Sequence, residues 1–151
     1  MSQLSTYIIP MQKQSVLLPQ LTVAEIIPYE PLQRLEETPD WFLGLLSWRG
    51  VQVPVCSFEM MTVERASFSL VSVSSASLVI IKGLNEYEDL PYHAMVAQTA
   101  PEVVDMSEDM LIGLAGKNEK TELTKVRFGD DVISIPDLDY VENAILGVIK
   151  S

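Results

Sequence analysis

The chain of 151 residues is long enough for one domain, or for two small lobes around a shared core. Hydrophobic residues make up 48%, which excludes a disordered composition. Ten Lys and Arg stand against 21 Asp and Glu, and the formal net charge of -11 excludes nucleic acid and anionic membrane surfaces as natural partners while favouring proteins with basic patches.

In chain order, the opening Met1-Ser2-Gln3-Leu4 lacks the basic segment and apolar run of a signal peptide. No later window is apolar for long enough to cross a bilayer as a helix, because the best candidate, 68–81, is broken by five serines. Direct membrane insertion is therefore not expected, and the cytoplasm is the expected location. Ser5 to Met11 and Ser15 to Leu18 flank Gln12-Lys13-Gln14 and predict a hairpin. Leu21 to Ile27 predicts a strand with Leu21, Val23 and Ile27 mostly on one face. Pro28-Tyr29-Glu30-Pro31 reads as a turn, and Leu32 to Leu35 as either a helical turn or an irregular strand. Gly44 to Trp48 and Val51 to Val55 flank Arg49-Gly50, where Gly50 supplies positive φ for a tight connection.

Further strands are expected over Val71 to Ile81 and Tyr92 to Ala97, with an acidic loop at Lys82 to Pro91. Asn118 to Glu122 is a charged turn. Thr121 to Phe128 and Val132 to Ile135, joined by Gly129-Asp130-Asp131, form a second hairpin. The last segment changes period. Asp137 is an N-cap after Pro136, and Leu138, Val141, Ile145 and Leu146 share one helical face, so 137–149 is a terminal helix on the sheet. Many short strands with one or two helices make the chain mainly β, of barrel type.

A catalytic reading finds little to stand on. His93 is the only histidine and lies in a strand pattern, where a structural role fits better than catalysis. Cys56, the only cysteine, excludes a disulfide framework and an all-cysteine zinc site. It sits in Val53-Pro54-Val55-Cys56 as a small buried hydrophobe rather than a nucleophile paired with His93. No phosphate loop, nucleophile elbow, dinucleotide fingerprint or calcium loop is present. The acidic runs Glu36-Glu37, Glu86 to Asp89, Glu108-Asp109 and Asp130-Asp131 read as solvated charge. Met60-Met61 and the pair Met106 and Met110 read as core filler. No catalytic residue, metal or cofactor is expected, and such a scaffold works through its surface.

One stretch is more specific. Val23-Ala24-Glu25-Ile26 leads to Pro39-Asp40-Trp41-Phe42-Leu43-Gly44, then to Ser47-Trp48-Arg49-Gly50-Val51-Gln52-Val53-Pro54-Val55. The order and spacing of Pro39, Gly44, Arg49, Gly50 and Pro54 resemble the CheW family. The resemblance is close over Leu21 to Phe58 and looser beyond. There, Leu78 to Ile81, Ala94 to Val96, Glu102 to Asp105 and Phe128 to Leu138 occupy corresponding places.

The resemblance implies two SH3-like five-stranded β-barrel lobes packed on a shared core, with a C-terminal helix, all in one domain over 1–151. It implies a non-catalytic adaptor that couples the regulatory domain of a CheA-type histidine kinase to the cytoplasmic tip of a methyl-accepting chemoreceptor. The expected partner-binding residues are Arg49, Glu25, Leu32, Gly44 and Gly50. Arg49 beside Gly50 offers either a fixed guanidinium fork to partner carboxylates or a pin for its own loop. Glu25 either pairs with a partner or is solvated. Leu32 and Leu35 line a partner surface or join the core, and Gly44 and Gly50 serve the backbone. An amphipathic receptor helix is expected in an apolar groove between the lobes.

The chain also departs from the family pattern. Ser47-Trp48 replaces Asn-Leu before Arg-Gly, Cys56-Ser57 stands where an acidic residue is common, and Ala97-Gln98 stands where Val-Asp is usual. These changes point to an auxiliary or specialised member, such as one serving pilus motility. They also keep open a second role, an anchoring or decoy module that binds one partner only.

Overall fold

A computed structural model describes residues 4–11, 15–62, 75–85, 88–106, 112–113, 121–128 and 131–150. Its strands, in chain order, are β1 (Leu4–Pro10), β2 (Ser15–Pro19), β3 (Val23–Pro28), β4 (Phe42–Trp48), β5 (Val51–Cys56), β6 (Ser77–Lys82), β7 (Tyr92–Ala97), β8 (Glu102–Met106), β9 (Ile112–Gly113), β10 (Glu122–Phe128) and β11 (Asp131–Pro136). The helices are α1 (Phe58–Thr62) and α2 (Leu138–Ile149). One sheet runs β8-β1-β2-β11-β10-β9 and the other β3-β6-β7-β5-β4. The first gains its sixth strand from the two-residue β9; the second has the five expected.

Strand period explains how two lobes share one interior. Side chains alternate across a strand, so a strand buried on both faces feeds two cores. In β6, Leu78 and Ile80 pack with Leu46, Val53, Val55 and Val96 inside the five-stranded lobe. Val79 and Ile81 of the same strand turn the other way, into a core shared with Ile9, Val16 and Leu18 of the six-stranded sheet. Leu17, between Val16 and Leu18, faces the first lobe's own interior with Met106, Val126 and Ile133. The architecture is thus the two-lobed, SH3-like, mainly-β arrangement expected.

Helix α2 seals the shared core. Asp137 caps it, its carboxylate accepting from the Tyr140 amide at 3.2 Å. Leu138, Val141, Ile145 and Leu146 then fall on the buried face at helical spacing.

Three local expectations change. The strand foreseen from Leu21 starts at Val23. Gln20–Thr22 is instead a 3-10 turn in which the Thr22 hydroxyl donates to the Pro19 carbonyl at 2.7 Å, and Leu21 is 79% exposed. The turn foreseen at Pro28 to Pro31 continues the ladder, since the Tyr29 amide donates to the Ala76 carbonyl. Segment 32–35 resolves as an irregular strand with a bridge between Gln33 and Leu45. The short helix α1 was not foreseen. The strand foreseen over 71–81 has β6 as its described part; residues 71–74, like 118–120 of the charged turn, Met110, Glu86, Glu108-Asp109 and Asp130, lie outside the described residues.

Candidate functional site

The hairpin between β4 and β5 closes on two residues. Trp48 pairs with Val51, and Arg49 and Gly50 between them have φ of +49° and +78°. Two positive φ values in a two-residue loop mark the type I′ turn, whose twist matches that of the strands. The turn carries Arg49 to the tip, with 68% of its side chain exposed.

The strands β3 and β4 are opposite edges of their sheet. Five flat strands would separate such edges by about 19 Å. Glu25 of β3 nevertheless accepts a hydrogen bond from Trp48 Nε1 at 2.6 Å and pairs with Arg49 Nη2 at 3.3 Å. The sheet must therefore curl until its edges meet, as in a barrel. Arg49 Cζ also lies 4.9 Å from the Trp48 ring centroid. Tyr92 of β7 meets the indole edge-on, with centroids 4.9 Å apart.

The other expected residues lie at the opposite end of β4. Gly44 has φ +146°, and a Cβ there would stand 2.6 Å from the Gln33 carbonyl oxygen and 3.1 Å from Leu32 Cβ. Glycine is what lets Gln33 bond Leu45 in both directions, at 2.8 and 2.9 Å. Leu32 is half-buried against the five-stranded lobe's core. The five expected residues thus fall in two groups at the two ends of β4, with Arg49, Gly50 and Glu25 of β3 at its tip and Leu32 and Gly44 at its start. Sequence reasoning missed Trp48 and Tyr92 as members of the tip. The only signal was an unusual tryptophan before Arg-Gly.

An apolar groove opens beside α2. It holds about 270 Å³ and is lined by Leu17 and Leu18 of β2, Leu84 after β6, Leu123 of β10, Ile135 of β11 and Leu138 of α2. Leu84 and Leu123 are more than half exposed on its wall.

Cys56, His93 and Glu142 are buried away from the tip. Cys56 is fully buried, its thiol reaches the Ala94 carbonyl at 3.5 Å, and burial pushes its pKa up to about 12, so it is no nucleophile at neutral pH. His93 Nε2 faces the carboxylate of Glu142 at 3.6 Å, and both side chains are wholly buried. Burial alone would raise the Glu142 pKa. The imidazole and the amides of Leu84 and Asn85 outweigh it and bring the pKa below the ordinary value. Among the described residues, no three of His, Cys, Asp and Glu converge on a metal site, and no helix is long and apolar enough to cross a membrane.

A family model described as the CheW-like domain matches residues 7–144. Among solved structures, the chain is similar to the crystal structure of scaffolding protein TtCheW from Thermoanaerobacter tengcongensis. The two are 14% identical, with a TM-score of 0.73, over 91% of this chain and 86% of that one. No curated protein sequence matches the chain.

Proposed function

The chain belongs to the CheW-like domain family of non-enzymatic chemotaxis scaffolds, and from that premise we propose that it couples a methyl-accepting chemoreceptor to the regulatory domain of a CheA-type histidine kinase. It acts in the cytoplasm as one domain of two interlocked lobes. The observation that carries this reading is the hairpin tip. An always-charged guanidinium stands out from the barrel seam, on a chain whose net charge is -11, with donors in a fixed fork for a partner carboxylate.

Each expected site residue has a role. Arg49 contacts the kinase domain. Glu25, with 36% of its side chain exposed, braces Arg49 and borders the contact. Gly50 shapes the turn, and Gly44 and Leu32 shape the strand edge beside it. The apolar groove between the lobes takes the receptor tip, a helix with apolar residues at three- and four-residue spacing.

A narrower reading, a module that anchors only one of the two partners, draws on Cys56 and Ser57. They stand where the family commonly carries an acidic residue, and both are buried rather than offered to a partner.

Titration of the chain against the kinase regulatory domain and, separately, against the receptor tip tests the proposal. Saturable binding to both is expected, with Arg49→Ala weakening the kinase arm. Binding to one alone selects the anchoring reading. Binding to neither, by protein shown to be folded, overturns both.

A further inference from the structure

Arg49 has too little around it to explain a fixed position by its ion pair alone. The pair with Glu25 is largely solvent-exposed, and such pairs are weak and screened by salt. The backbone is held by its left-handed turn, but a long side chain on a turn is free to sweep. The immobile group at the tip is Trp48, only 8% exposed and packed in the lobe core, with its edge against Tyr92.

We infer that Trp48 is the positioning residue that makes Arg49 a receptor for a partner's carboxylate. Its indole does two things at once. Its N–H donates to Glu25 Oε1, the same oxygen that faces Arg49 Nη2. Its ring face lies under the guanidinium. The indole bond fixes where the Glu25 charge sits, and the ring fixes the plane of the fork. One edge of the guanidinium and one face are thereby engaged within the molecule. The remaining N–H donors project outward, where 68% of the side chain is exposed. A group that meets them must be an acceptor, and the complement to a planar fork is an Asp or Glu carboxylate.

A leucine at position 48, the residue common in the family, has neither the N–H nor the π face. Trp48 thus sets this chain apart at the contact itself. This inference rests on the adaptor reading for its partner, but not for its geometry.

Two measurements separate those parts. The first needs no partner. The Arg49 Nε–H resonance of the full chain should carry the ring-current shift and slowed motion of a stacked guanidinium. Both should be lost in Trp48→Leu. In Trp48→Phe, which keeps a ring but no N–H, the shift should survive in part. An Arg49 resonance unaffected by Trp48→Leu overturns the inference.

The second is titration against the kinase regulatory domain at low and high salt. Trp48→Leu is expected to weaken binding roughly fivefold to tenfold and to flatten its salt dependence, with Trp48→Phe between it and wild type. In an Arg49→Ala background, Trp48→Leu should cost nothing further, because Trp48 acts through Arg49. Additive losses would mean that Trp48 touches the partner itself, and would overturn the positioning role. Failure of the wild-type chain to bind would sink the adaptor reading while the resonance experiment still decides the geometry.

Discussion

Removal of the Glu142 carboxylate should loosen the joint between α2 and the five-stranded lobe. Glu142 lies on the buried face of α2, accepts from the Leu84 amide at 2.7 Å and from the amide and side chain of Asn85 at 3.3 Å, and faces His93 of β7. Glu142→Ala leaves these donors without their acceptor and removes the carboxylate that faces the imidazole. The Leu84 and Asn85 amides, left without their acceptor at about 1–3 kcal/mol each, give about 2–6 kcal/mol. For a chain of this size each kcal/mol lowers Tm by about 2–4 °C, so a fall of about 4–24 °C is expected in a thermal melt. Amide exchange at Leu84 and Asn85 should accelerate with it. A fall of less than about 2 °C would refute the claim that this carboxylate anchors the loop.

The pH dependence has a definite sign. Because the folded pKa of Glu142 lies below its ordinary value of 4.5, its stabilisation is fully present above that pH and is lost as pH falls through the folded pKa. Glu142→Gln has no proton to gain there and should show a shallower acid limb. Equal acid limbs would contradict the assignment.

Two further outcomes test other parts of the molecule. Gly44→Ala should cost at least about 2 kcal/mol in denaturant unfolding, because its Cβ meets the Gln33 carbonyl oxygen and the two Gln33–Leu45 bonds must give. Gly50→Ala meets open space and should cost only the left-handed strain of about 1–2 kcal/mol; a reversed order would mean that close approach is not what keeps Gly44. Cys56 should resist a thiol reagent in the folded protein at neutral pH and react on unfolding, since it is buried and its thiol pKa is pushed up to about 12; rapid labelling of the native chain would show the site to be open.

The fold was legible where local chemistry decides it. Arg49-Gly50 between two Val- and Leu-rich runs could hardly be anything but a tight hairpin, and Asp137 before a 3.6-residue apolar pattern had to start a helix. The readings that changed depend on partners far away in sequence. Leu21 has the residue type of a strand, but the Thr22 hydroxyl closes on Pro19 and leaves it in solvent. Gln33 carries no strand signal of its own. It pairs with Leu45 because Gly44 leaves room, a fact about two chain segments rather than one.

The same distinction governs the site. Arg49 and Gly50 could be picked out because their family pattern is local. That Glu25 would face them could not, since it requires the edges of the sheet to meet, and curvature is a property of the whole set of strands. Trp48 was visible only as a departure from the pattern, and a departure read in isolation looks like lost function. With Glu25 at 2.6 Å from the indole nitrogen and the guanidinium over its ring, the same substitution adds a donor and a stacking face where the edges of the sheet meet. What the tryptophan changes is therefore how firmly the arginine is held, which is what the resonance and titration of Trp48→Leu measure.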